Sequence, residues 1–268
     1  MTTLPFSATT PVSVGRVGLR ARDAGQLAAF YKDLLGLVET RRSGDTIALS
    51  AGGRELLEIE GSAALKPDDP HSAGLYHTAF LFPERADLAR WTQYAIGRQF
   101  RIDGASDHDV SEAIYLTDPE GNGIEIYADR PRSSWTFDDG QVRMRTERLD
   151  FGALAGELEG KPSEWSGAPD GTVVGHVHFR VGAVGDAEQW WNSEMGFDTM
   201  RHRGDVAVFL SSGGYHHHVG ANIWHSKGAG PRPAGTAGLA FVEFRAKDQA
   251  SEREITDPWG NVIRIIPA

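Results

Sequence analysis

"RVGLRARDAGQLAAFYKDLLG" (16–36), "HTAFLFPERADLARW" (77–91) and "HVHFRVGAVGDAEQWWNSEMG" (176–196) are three versions of one pattern. Aligned without gaps, Phe30, Trp91 and Trp190 stand at the same offset, as do Gly36 and Gly196. Each stretch opens with the alternation of a strand and then changes to helical spacing. In the first, Asp23 suits an N-cap, Leu27, Phe30, Leu34 and Leu35 form an apolar stripe, and Gly36 suits the helix end. The return passes repeat as well. "DTIALSAGGRELLEIE" and "DVAVFLSSGGYHHHVGANIW" align around Gly-Gly, and "AIYLTDPEGNGIEIYADRP" and "REITDPWGNVIRIIPA" around a DPxGN turn. A fourth copy begins near "GLAFVEFRAKD" and is too short to hold a helix.

An internal repeat decides architecture before any single motif does. The expected fold class is α+β, with four tandem βαβββ modules and the fourth module truncated. Residues 12–130 hold modules one and two, and 171–268 hold modules three and four. Residues 131–170 form a linker with a short helix in "LDFGALAGEL".

Composition narrows the functional classes. The 268 residues include 27 basic and 37 acidic side chains, a formal net charge of −10, which disfavours a nucleic-acid partner. No apolar run approaches the roughly 18–20 residues of a membrane span. The stretch "MTTLPFSATTPVSVGR" has neither the basic start nor the apolar core of a secretory signal, so a cytoplasmic location is expected. The absence of cysteine removes disulfides, zinc ribbons and thiol nucleophiles.

Comparing equivalent positions of the modules locates the chemistry. The first-strand position carries Arg16, His77, His176 and Phe241. The last-strand position carries an apolar residue near Leu56 in module one, Glu125 in module two and Arg264 in module four. Laid over "GNGIE", the run "GGYHH" brings His217 to that position in module three. Two histidines and one carboxylate, with open positions left, suit a non-haem Fe(II) centre that activates O2, and Mn(II) fits the same set. His77, His176 and Glu125 are thus candidate metal ligands, provided that modules two and three share a funnel. The triple histidine 216–218 reads as part of a strand, so one member faces the cavity and its neighbours face away. His217 is the favoured member, and a one-residue slip of register exchanges it for His216 and His218. These two, with His178, are candidates for substrate contact. The DPxGN repeats read as turn chemistry.

"GLYHTAFLFPER", "DHDVSEAIYLTDPEGNGIEIYADRPR", "GHVHFRV" and "SSGGYHHHVGANIW" resemble segments of the vicinal oxygen chelate superfamily, in its catechol 2,3-dioxygenase (extradiol) branch. The resemblance runs over about residues 12–245. It implies a fold of glyoxalase/bleomycin-resistance/extradiol-dioxygenase type whose strands curl around a metal, with His77, His176 and Glu125 as iron ligands. It further implies His217 as acid–base histidine, Tyr115 as an assisting tyrosine and His108 as a substrate contact. The expected reaction is cleavage of a catechol-type aromatic diol by O2, and homo-oligomerisation is expected. A departure is that extradiol enzymes often carry their ligands in modules three and four, where this chain has Phe241 and Arg264. The rival readings on the same fold are a metal-dependent isomerase or thiol-adduct enzyme of glyoxalase or fosfomycin-resistance type, for which a ligating His217 would speak, and a non-catalytic small-molecule binding protein.

Overall fold

The structure is a computed structural model describing residues 4–268. Module one comprises β1 (Val12–Ala21), α1 (Ala24–Leu35), β2 (Val38–Ser43), β3 (Thr46–Ala51) and β4 (Arg54–Gly61). Module two comprises β5 (Gly74–Phe82), α2 (Arg85–Gly97), β6 (Gly104–Asp107), β7 (Ser111–Thr117) and β8 (Gly123–Asp129). The connecting segment holds the two-residue strands β9 (Phe137–Asp138), β10 (Gln141–Val142) and β11 (Glu147–Arg148), then α3 (Phe151–Gly156) within the expected stretch. Module three comprises β12 (Val173–Arg180), α4 (Val184–Met195), β13 (Asp198–Arg203), β14 (Ala207–Ser211) and β15 (Val219–Asn222). Module four keeps only β16 (Gly238–Ala246), β17 (Arg253–Thr256) and β18 (Val262–Pro267), so it lacks one strand as well as the helix.

Among the described residues two large sheets form. Their orders are β17-β18-β16-β1-β4-β3-β2 and β11-β6-β7-β8-β5-β12-β15-β14-β13. Module one therefore pairs with module four, and module two with module three, through antiparallel contacts of their first strands. The two chain halves interleave, each sheet taking one module from each. A single core runs through both, with Leu19, Phe80, Trp91, Phe179, Trp191 and Phe244 all buried.

Local chemistry explains the repeat. Asp23 accepts from the Gln26 backbone N–H at 2.9 Å and caps α1, while Gly36 ends it at φ 67°. At the aligned aromatic position only Trp91 is fully buried; in modules one and three the next residue, Tyr31 or Trp191, fills the core instead. Both DPxGN segments are turns whose aspartate accepts from the asparagine four residues on: Asp118 from Asn122 and Asp257 from Asn261.

Each first strand carries a β-bulge. In the β5–β12 pair Val174 faces Phe80 but His176 faces Ala79, leaving Gly175 as the extra residue; His178 faces His77 but Phe179 faces Leu75, leaving Tyr76. In the β1–β16 pair the extra residues fall at Gly15–Arg16, which share one partner, and at Ala240. A bulge thus precedes Arg16, His77, His176 and Phe241 alike, and re-aims each of these side chains.

Two expectations need correction. In each module the last strand runs parallel to the first, and Glu125 stands beside Ala79, two residues past His77. The same offset gives Glu58 beside Gly18, Gly220 beside His178 and Arg264 beside Glu243. Module one therefore has Glu58 where Leu56 was expected, and module three has Gly220 where His217 was expected. The second error has a clear origin: the residues after Gly213–Gly214 do not re-enter the sheet. In β3–β4 the Gly52–Gly53 pair, both with positive φ, closes a hairpin at once. After β14 the chain makes the same left-handed turn at Gly213 and Gly214, then runs through Tyr215–His218 outside any strand before β15 begins at Val219.

Candidate metal centre

β5, β8 and β12 are adjacent strands of the larger sheet, and they bring His77, Glu125 and His176 together. His77 Nε2 lies 3.1 Å from Glu125 Oε2, His176 Nε2 lies 3.2 Å from the same oxygen, and the two imidazole nitrogens are 3.3 Å apart. All three residues are buried. Three lone-pair donors converge on one point, and one shared proton cannot satisfy them all. A first-row divalent ion with ligands at ~2.1 Å on one face needs donors about 3 Å apart. The residues present fit such an ion, and this is the one cluster of its kind among the described residues.

The electrostatics agree. Burial alone would raise the Glu125 carboxyl, but His176 and then His77 outweigh it and hold it well below the usual carboxylate range. Burial drives His176 down to about 4, against the opposing pull of Glu125. A neutral His176 imidazole beside an ionised Glu125 carboxylate is the donor state a metal takes.

Two of the three, His77 and Glu125, line a cavity of about 700 Å³, with His176 buried beside them. His77, Glu125, Tyr115, His108, His178 and His217 line it, and His217 stacks on His176 with ring centroids 4.1 Å apart. Burial, then His176 and His216, hold His217 well below the ordinary histidine value, so its ring is neutral. Tyr115 pairs across strands with Glu125, and burial followed by the Glu125 charge pushes its phenol up, so it keeps its proton. His108 Nδ1 lies 2.7 Å from the Arg145 carbonyl, and its Nε2 lies 2.7 Å from the Tyr115 hydroxyl at the cavity wall.

His178 lines the cavity, with Nε2 buried and free of any protein partner among the described residues. Its ring occupies the space that Gly220 leaves open, since a Cβ there would meet it at 2.8 Å. His216 and His218 are not in the cavity wall, so neither is placed for substrate contact. His216 is buried behind His217 between Tyr215 and Trp135, and its Nε2 lies 3.0 Å from Asp129. His218 is buried on the other side, with Nε2 2.9 Å from the Ser7 carbonyl. Strand alternation fails here because the three residues belong to a loop.

Several lining residues carry no sequence signal of their own. Tyr76, Phe209 and Trp224 pack their aromatic rings around His178 and form the apolar wall. Arg201 and Arg203 line the mouth with no carboxylate partner among the described residues. Strand spacing in "DTMRHR" does put Arg201 and Arg203 on one face, but nothing in it says that this face borders a cavity.

Residues 13–126 match the family model described as Glyoxalase/Bleomycin resistance protein/Dioxygenase superfamily. The chain is 37% identical over 234 residues to Catechol-2,3-dioxygenase of Bacillus subtilis (strain 168), covering 85% of this chain and 80% of that protein. A shorter match, 32% identical over 66 residues, joins it to Biphenyl-2,3-diol 1,2-dioxygenase 2 of Rhodococcus globerulus, covering 25% of this chain and 35% of that one. Among solved structures, glyoxalase I from Zea mays superposes with a TM-score of 0.58 at 12% identity, covering 98% of this chain and 94% of its own. The chain belongs to the glyoxalase/bleomycin resistance/dioxygenase (vicinal oxygen chelate) superfamily, and its modular α+β fold is that of the superfamily.

Proposed function

We propose that this protein is an extradiol dioxygenase, which cleaves the ring of an aromatic vicinal diol with O2 beside the two hydroxyls. The observation that carries this reading is the convergent set of His77, Glu125 and His176, two of which line a cavity that is also lined by His217. The similarity to two diol dioxygenases supports it. When bound, Fe(II), with Mn(II) as the alternative, supplies Lewis acidity toward the diol and redox access to O2. His217 takes a proton from one diol hydroxyl and later returns it. Tyr115, hydrogen-bonded to His108, meets the second hydroxyl and orients the ring. Tyr76, Phe209 and Trp224 clamp the aromatic face and exclude water. The isomerase alternative draws on a fourth protein ligand, and His217 is not a member of the metal cluster; its Nδ1 faces His216 at 2.7 Å.

The test is elemental analysis of anaerobically purified protein together with catechol turnover followed by the yellow ring-fission product. About one Fe or Mn per chain, lost in His77→Ala and in His176→Ala, with product formed only by the loaded wild type, is the expected result. Retention of metal by His176→Ala, or full occupancy without consumption of any catechol, overturns the proposal.

A further inference from the structure

Behind His217 runs a buried chain of polar groups that the reaction scheme above does not use. His217 Nδ1 lies 2.7 Å from His216 Nδ1, and His216 Nε2 lies 3.0 Å from Asp129 Oδ1. The same oxygen accepts from the Tyr215 hydroxyl at 3.2 Å, and Tyr215 and Tyr127 share a hydrogen bond of 2.7 Å. Asp129, Tyr127 and Glu125 alternate onto one face of β8, so the strand that supplies the carboxylate ligand also anchors this chain. None of its fully buried side-chain nitrogen and oxygen atoms lacks a partner among the described residues, whereas Nε2 of neighbouring His178 does.

We propose that Asp129, acting through His216, sets the tautomer and pose of His217, so that His217 carries its proton on Nδ1 and turns a bare Nε2 to the cavity. Which nitrogen holds the proton follows from the partners. An ionised carboxylate only accepts, so His216 Nε2 must donate to Asp129. A His216 ring that carries this one proton then has a bare Nδ1. Two bare nitrogens at 2.7 Å would repel, so the proton between them belongs to His217 Nδ1. Its remaining nitrogen, Nε2, is the free lone pair. The ring cannot swing away, because His176 and Phe209 pack against it with centroids at 4.1 and 5.0 Å. Asp129 touches no substrate in this arrangement and is a positioning residue. The inference rests on the reading of His217 as the acid–base group, and its first readout is independent of turnover.

That readout is a long-range ¹H–¹⁵N correlation spectrum of protein with ¹⁵N-labelled imidazoles, purified without metal, with His217 assigned by its loss in His217→Gln. The wild type is expected to show the Nδ1–H tautomer at His217. In Asp129→Asn the amide donates to His216 Nε2 and reverses both rings, so His217 changes to Nε2–H. With diol and metal, that variant is expected to lose roughly 10²–10⁴-fold in kcat with KM within about threefold, as when a triad carboxylate is made an amide elsewhere. Tyr215→Phe, which keeps the carboxylate, is expected to keep both tautomer and kcat. A wild-type His217 already in the Nε2–H form overturns the inference even if the variants fail to fold. So does an Asp129→Asn protein with unchanged tautomer and rate. If no form cleaves a diol, the dioxygenase reading falls, while the spectra still decide the tautomer.

Discussion

His218 shows how one residue can tie acid stability to a single buried ring. Its Nδ1 accepts from the Ser212 backbone N–H at 3.3 Å, and its Nε2 donates to the Ser7 carbonyl at 2.9 Å. The neutral ring is satisfied, and a second proton would face a donor. Burial depresses its pKa to about 3, against the weaker opposing pull of the Ser7 carbonyl. Because the folded value lies below the unfolded one, the unfolded chain binds more protons between about pH 3 and 6.5. The contribution is complete above that window and is lost as pH falls through it. His218→Gln is expected to flatten the fall in unfolding free energy between pH 7 and 5 by about 2 kcal/mol, measured by urea denaturation at each pH. An unchanged slope would assign acid sensitivity to other groups.

At the scale of elements, the bulge is the device that makes a repeat into a site. A regular strand would send Gly175 and His176 to opposite faces in step with β5; the extra residue rotates His176 onto Glu125 and His77. Gly175 has a second reason to be glycine. A Cβ there would lie 1.9 Å from the Tyr127 hydroxyl and 3.0 Å from Leu81 Cβ. Tyr127 packs on His176 at 4.9 Å between ring centroids, so pushing it moves a ligand. Gly175→Ala is expected to lower unfolding free energy by about 1–3 kcal/mol and to reduce metal content. Adding Tyr127→Phe, which removes the clashing oxygen, should restore part of both. Failure of the second substitution to help would mean that the backbone, and not the Tyr127 contact, demands glycine.

Across the whole molecule, the pairing of modules gives the two halves different tasks. At the place where ligands meet in the two–three sheet, the one–four sheet has Arg16 bonded to Glu55, Glu58 and Glu243 at 2.5, 3.2 and 2.8 Å. Arg264 lies over the Phe241 ring at 3.8 Å and Arg16 at 5.6 Å. An ion-pair cluster beside an aromatic ring thus stands where the other sheet has its ligands. Arg16→Met leaves Glu243, only 5% exposed at its side chain, without its strongest cation. Partial exposure of Arg16 weakens the effect of a fully buried pair, and a loss of about 2–4 kcal/mol in urea unfolding is expected. Metal content should stay the same, because this cluster and the metal centre lie in different sheets. A drop in metal would mean that the halves are coupled through their shared core.

Much of this organisation is legible in the residues themselves. Period-2 and period-3.6 patterns, Gly-Gly and DPxGN turns, and equal spacing of aromatic residues define the modules, and aligned first-strand positions single out His77 and His176. These are short-range properties, written in side-chain periodicity and turn chemistry. What the sequence left open depended on contacts between distant segments. Whether modules two and three meet is decided by strand pairing across about a hundred residues, and the pairing brings His176 onto Glu125. The triple histidine looked like a strand because Gly-Gly hairpins normally return directly to the sheet. Only burial against Asp129, Trp135 and Ser7 shows that the chain stays out of it, sending His217 alone to the cavity while His216 holds it and His218 is locked in the core. Spacing along the chain determined which groups could do chemistry; the register between strands determined which of them face one another.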